Sequence, residues 1–250
     1  MSAMNTGLTG LKAATSHIDV VSNNIANAST TGFKRGDIEF GDLVDANAGK
    51  TTPGSGVRTQ AINQSFLQGD TDQTGNALDL RINGSGFFAV KDSSGNTSYT
   101  RDGSFHVDKD GNIVNSLGQN LLDKGGTPLK ISGTGPWTDI SVDDYGNITA
   151  KDSTGADTTA IQVGLTNFPN VNGLKRIGDT QWAATTESGT AITDAPGAKG
   201  LGTLTSGELE SSNVDLATEL VDLIVAQRDF NANSKSITAG KEMIQTVINI

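Results

Sequence analysis

The ends of the chain carry one pattern of apolar and polar residues, and its middle carries another. From Asp215 to Ile250 large apolar residues return at alternating steps of four and three: Leu216, Leu220, Leu223, Phe230, Ile237, Ile244 and Ile248. Gln227, Ser234 and Lys241 are polar members of the same series, and Ile224 widens it. A seven-residue apolar repeat of this length predicts a helix that pairs along a narrow stripe. No proline interrupts it, and Gly240 is its one poor helix former. Asn213 and Asp215 offer helix-starting side chains, and Glu219 lies near the first turn. At about 1.5 Å per residue the helix reaches roughly 54 Å, so its stripe needs a partner. The first 28 residues supply a candidate. Met4, Leu8, Leu11, Thr15, Ile18, Ser22 and Ile25 repeat the spacing, and Val20 and Val21 widen it. This helix should stop near Ala28, with Gly32 suited to a left-handed helix end.

The middle alternates with a period of two. Leu78, Leu80 and Ile82 alternate with Asp79 and Arg81, and Phe87–Val90, Ser98–Thr100, Phe105–Val107 and Ile113–Val114 follow as short strands. Turn sequences recur between them. Val107–Ile113 is echoed by Val142–Ile148, and Lys91–Gly95 by Lys151–Gly155, as expected of a β meander or small barrel. Ile161, Val163, Leu165 and Phe168 read as one late strand, with Trp137 and Trp182 as core anchors. Residues 45–57 read as a loop, and Val57–Phe66 as an extended segment. The fold class predicted is α+β: long N- and C-terminal helices forming a coiled-coil-like stem, with a mainly antiparallel β body between them. The domains predicted are 1–30 with 213–250 as a helical core, 31–74 as a loop or extended linker, and 75–212 as a β-rich outer domain.

Composition narrows the functions open to such a chain. A net charge of −10 without a basic cluster argues against nucleic acid as a partner. The absence of cysteine removes disulfides, thiol nucleophiles and thiolate metal sites together. No secretory signal and no membrane-length apolar run are present, so no membrane insertion is expected and any export would use a route without a cleaved leader. His17 and His106 have no patterned partner. Asp108 and Asp110 before Gly111, like Asp143 and Asp144 before Gly146, read as turns, since the acid spacing of a calcium loop is missing. Gly84-Ser-Gly86 is too short for a phosphate loop. No acid sits in an apolar run that would raise its pKa for a glycan hydrolase. No catalytic residue, metal or cofactor is therefore expected, and the chain is not expected to be an enzyme. A secreted β-rich binding module stays open as a different class.

Three segments resemble one family along nearly the whole chain. They are Asn23-Asn-Ile-Ala-Asn-Ala-Ser-Thr-Thr-Gly-Phe-Lys34, then Asp79–Phe88 with Tyr99-Thr-Arg-Asp-Gly-Ser-Phe105, and Ser211-Ser-Asn-Val-Asp-Leu216 followed by Glu219-Leu-Val and Ala226-Gln-Arg228. The chain is similar to the bacterial flagellar rod and hook proteins. Its C-terminal run Gly207–Leu216 and the short segment between Leu43 and Gln64 look most like hook subunits. Its length is that of a rod subunit, and the distal or proximal rod is the runner-up.

The resemblance implies a structural subunit in the hook or basal body. It implies export through the flagellar export apparatus without a cleaved signal, and self-assembly into a helical tube that transmits torque. The partners implied are further copies of itself, neighbouring rod and hook-junction proteins, and a hook or rod cap during assembly. The polymerisation interface expected comprises Leu8, Leu11, Ile18, Val21, Ile25, Phe33, Leu216, Leu220, Leu223, Ile224, Phe230, Ile237, Ile244 and Ile248. Two readings of the stripes stay open, ordinary core packing on the central body or packing between subunits. Phe33-Lys34-Arg35 is likewise either a helix-exit contact with solvated charges or an inter-subunit joint. The terminal helices are expected to order on assembly.

Overall fold

The computed structural model describes residues 2–44, 54–133, 135–158 and 160–248. Two long helices lie at the chain ends, α1 at Ser2–Ala26 and α2 at Leu216–Ile248. Asp215 starts α2: its carboxylate accepts the Ala217 N–H at 2.9 Å and the Thr218 hydroxyl at 3.1 Å. Those donors hold its carboxyl below the usual range. The first helix ends at Ala26, earlier than expected, in a tightened turn where the Asn27 N–H is shared between the carbonyls of Asn23 and Asn24. Gly32 is left-handed, with φ +67°, but it does not cap the helix. A Cβ there would lie 2.5 Å from the backbone nitrogen of Asp102, so the position needs glycine for close approach as well as for its φ.

The chain divides into two compact units, each built from separated stretches. The first contains Met1–Ala28, Arg35–Ser65 and Val214–Ile250. Here strand β1, Gly36–Leu43, pairs antiparallel with β2, Gly56–Gln64, with a register shift at Glu39/Phe40. The loop expected over 45–57 lies mostly outside the described residues. The extended reading from Val57 onward is a strand that packs on α1.

The second unit is Ser29–Lys34 with Phe66–Asn213, and its strand pairs are all antiparallel. Strand Phe87–Lys91 sits at its centre, paired with Thr97–Thr100, Asn120–Leu121 and Leu165–Asn167. Alternation along that strand serves two cores. Phe88 and Val90 join Leu80, Ile82, Phe105 and Leu165 in the larger cluster, while Phe87 packs with Phe168 and Trp182 in the smaller one. The smaller core is aromatic. The Phe87 and Trp182 rings stand 5.6 Å apart, and those of Tyr99 and Phe168 meet edge-on at 4.8 Å. Trp137 packs only partly buried against the larger cluster. The late strand is broken into Ile161–Gln162 and Leu165–Asn167. The break falls at Gly164, where a Cβ would lie 2.5 Å from the backbone of Asp123.

Among the described residues of this unit one turn is used six times, where the sequence suggests four. It starts at Asp92, Asp108, Asn115, Asp123, Asp143 and Asp152. In each, the first residue's N–H donates to the carbonyl four residues on, and its side-chain oxygen accepts the N–H of that fifth residue. A left-handed glycine stands fourth, from Gly95 to Gly155. The side chain thus completes the turn where the ladder ends. Asn115-Ser-Leu-Gly and Asp123-Lys-Gly-Gly lie outside the echoed pairs: one opens with Asn and the other carries a second glycine.

Hydrogen bonds from Asn96, Asn112 and Thr154 hold the carboxyls of Asp92, Asp108 and Asp152 below their ordinary value of 3.8. A depressed folded pKa adds stability that is complete above the ordinary value and lost as pH falls through the folded one. The thermal midpoint should therefore be level from about pH 7 to 5 and fall between about pH 4 and 2. Asp108→Ala should lower the midpoint at neutral pH and cost less in acid. An equal deficit at both would show that the carboxylate charge plays no part.

Candidate functional site

The two terminal helices pair within the first unit, and small residues recur along their shared face. On α1 the positions turned inward are Gly7, Ala14 and Val21, seven apart, with Gly10 between them. On α2 they are Glu219, Ala226, Asn233 and Gly240, also seven apart, with Leu223 and Ile237 beside them. The approach is close. A Cβ on Gly7 would lie 2.8 Å from Cγ1 of Ile237, and one on Gly10 2.5 Å from Oδ1 of Asn233. Gly240, read from the sequence as a weak point of the helix, rests against Met4.

The polar residues of the helix exits are anchored rather than solvated. Asn24 grips the backbone of Gly36 from both sides: its Oδ1 accepts the Gly36 N–H and its Nδ2 donates to the Gly36 carbonyl, each at 2.9 Å. The same amide donates to Oε2 of buried Glu219 at 3.1 Å. Oε1 of Glu219 lies 2.7 Å from Nε of Arg35. These contacts tie α1, β1 and α2 together at one level.

In the second unit Glu210 has a parallel role. Its Oε1 accepts from Nζ of Lys34 at 2.5 Å and from the Gly69 N–H at 2.9 Å, and its Oε2 accepts from Arg101 at 3.1 Å. Its backbone carbonyl takes the Gly32 N–H at 2.7 Å. Lys34 also donates to the Leu67 carbonyl, which takes a further bond from Asn213. The side chains of Lys34 and Glu210 are wholly buried, so the expectation of a solvated charge at Lys34 is corrected. Burial pushes the Lys34 ammonium down in pKa while Glu210 opposes the shift, and the Arg101 guanidinium is treated likewise. Phe33 is buried beneath the guanidinium of Arg176, 5.0 Å from its ring centre.

The residues named for polymerisation therefore divide. Val21 is buried, and Leu11, Ile18, Ile25, Leu223 and Ile237 are half-buried; Phe33 is buried within the second unit. Leu8, Leu216, Leu220, Ile224, Phe230 and Ile244 are exposed, and the Ile248 side chain lies outside the described ones. The stripe on α2 is thus not centred on its helix partner. Its small edge faces α1, and Leu216, Leu220, Val221 and Ile224 form an exposed ridge, 48–65% accessible. At about 100° per residue the ridge lies roughly 140° around the helix from the Glu219–Ala226 line. On another flank α1, α2 and the strand pair enclose a groove of about 430 Å³. Gly10, Ala13, Ala14 and Ala232 line it, with His17 and Phe40 at 6.0 Å between ring centres. Sequence reasoning missed the seven-residue recurrence of small residues, which was visible beside the apolar one. It also missed Asn24, Arg101, Glu210 and Glu219, whose partners are distant in sequence.

The chain thus has one helical unit assembled from both of its ends and one antiparallel β unit drawn from the sequence between them. Three family models match it: "Flagella basal body rod protein" over 4–34, "Flagellar hook protein FlgE/F/G D1 domain" over 81–150 and "Flagellar basal body rod FlgEFG protein C-terminal" over 205–250. The flagellar basal-body rod protein FlgG of Bacillus subtilis is 36% identical over 262 aligned positions, covering 99% of this chain and 98% of that one. That of Agrobacterium fabrum is 36% identical over 263, with the same coverage. The flagellar hook protein FlgE of Escherichia coli is 26% identical over 404 positions, covering 99% of this chain and all of its own. The chain belongs to the flagellar axial proteins, the rod and hook subunits of the flagellum, a structural family.

Two consequences of the packing can be measured. Removing Glu210 leaves two buried cations, whereas removing Lys34 leaves the Arg101–Glu210 pair. Glu210→Gln should thus cost about 3–5 kcal/mol in denaturant unfolding, and Lys34→Met less. The reverse order would contradict the shared carboxylate. Gly10→Ala must displace the Asn233 amide, and Asn233→Ala makes room for it. The double variant should be more helical and more stable than Gly10→Ala alone, read by circular dichroism.

Proposed function

We propose that this chain is a subunit of the flagellar axis that assembles with copies of itself into a helical tube. The terminal helices pack side by side with those of neighbours in a coiled-coil-like stem. The observation that carries this is the exposed ridge on α2, which the chain's own small-residue helix contact leaves uncovered. Burying a Leu or Ile side chain contributes about 1.5–3 kcal/mol, so four ridge positions per copy offset much of the cost of association. Export through the flagellar apparatus without a cleaved leader, capped growth, and contacts to rod and hook-junction neighbours belong to the same reading.

The whole-length likeness to rod proteins supports a place in the rod. The alignment to the longer hook protein needs 404 positions against 250 residues, so that protein carries segments this chain lacks. A short hook-type subunit is the second reading, supported by the run Gly207–Leu216.

Electron microscopy of a deletion strain separates them. Rods truncated within the envelope are expected of a rod subunit, and complete rods without hooks of a hook subunit. Complementation with this gene should restore the missing part. Normal flagella in the deletion strain would remove the axial role.

A further inference from the structure

The same unit carries an apolar ridge without a groove to hold it and a groove without a ridge to fill it. We propose that Leu220 and Ile224 of one copy seat in the groove between α1, α2 and the β1–β2 pair of the next copy. This inference rests on the assembly reading above and names the two surfaces that meet.

Size, composition and charge agree on that occupant. A cavity of about 150 Å³ takes a six-carbon ring, so about 430 Å³ takes two or three branched aliphatic side chains. Small residues at Gly10, Ala13, Ala14, Gly56 and Ala232 leave room, Phe40 and His17 close one side, and Thr6, Asn233 and Asp229 are the polar part of the lining. Charge follows the same direction. Arg228 continues the ridge side of α2 one turn beyond Ile224, and Asp229 stands on the groove rim. Within one chain the two meet only loosely, at 3.8 Å and largely exposed. Between copies each would find a partner of opposite sign.

The ridge and the groove are different surfaces, so the contact is head-to-tail. Seating one copy leaves a free ridge at one end and a free groove at the other. Such a contact propagates into an open helical array rather than closing as a symmetric dimer.

The chain has no cysteine, so paired substitutions report contact cleanly. Ile224→Cys and Ala232→Cys stand roughly 12 Å apart along one helix, beyond the Cα separation of about 7 Å that a disulfide spans. Any bridge between them is therefore between copies. Full chains carrying both substitutions, expressed in the deletion strain, should give a ladder of linked oligomers when isolated basal bodies are oxidised. Each single variant should stay monomeric, and co-expressed singles should give dimers only. Leu220→Cys with Ala232→Cys serves as a second pair if the first impairs assembly.

Dimers from either single variant alone would mean a symmetric contact and would overturn the proposal. So would monomers from both pairs in axial structures that visibly contain the chain, an outcome that leaves the assembly reading standing. Failure of the unsubstituted chain to enter any axial structure would overturn that reading and this contact with it.

Discussion

The closeness of the two terminal helices governs what this subunit shows to its surroundings. With Gly7, Gly10, Ala14, Ala226 and Gly240 at the contact, a methyl group on Gly7 would collide with the Ile237 side chain and one on Gly10 with the Asn233 amide. Ile237 fits over Gly7, but Leu216, Leu220, Ile224, Phe230 and Ile244 have no such place at the contact. The larger side chains of the stripe are displaced to the flank and stay in water. In an isolated globular protein that would be a liability, because an exposed apolar row invites association. Flagellar rod and hook proteins polymerise, and in such a family an exposed apolar row is a surface available for association. The geometry inside the subunit and the stickiness outside it are two results of one choice of residues.

The β unit is organised on a different principle. Its strands are short and its turns locally complete, each closed by the side chain that opens it. What joins its distant parts is charge rather than apolar area alone. Glu210 gathers Gly32, Lys34, Gly69 and Arg101 on a single residue. Buried ion pairs are poor sources of net stability but strict about geometry, since a misplaced partner leaves a bare charge in a dry interior. The stretch from Gly32 to Lys34, which leads back toward the first unit, is thereby placed with little freedom.

The helices, their approximate ends, most strands and the polar character of the turns were legible in sequence because each is written in neighbouring residues. Period, turn chemistry and the Asp215 cap are local. The orientation of α2 was not legible from apolar residues alone. Two seven-residue rows run along that helix, one of large apolar residues and one of small or polar residues, Glu219, Ala226, Asn233 and Gly240, and periodicity does not say which row meets the partner. The small row wins because helix backbones attract most where side chains let them approach. The roles of Asn24, Lys34, Glu210 and Glu219 were hidden for another reason. Each is an ordinary polar residue whose meaning lies in a partner more than a hundred residues away. The motifs that carried the family resemblance contain three of these residues, Asn24, Lys34 and Glu219, and the contacts give them a physical role.

The distance between Lys34 and Glu210 along the chain, 176 residues, has a consequence for the order of events during synthesis. The ammonium is made early and its counter-ion near the end. Until Glu210 has left the ribosome, burying Lys34 would strand a positive charge in an apolar interior, so the nascent chain has an energetic reason to keep that stretch in water. Local turns can form as soon as they emerge, yet the finished β unit waits for nearly the last of its residues. The stretch around Lys34 is thus the part of the β unit with reason to stay in water until the strand carrying Glu210 is present.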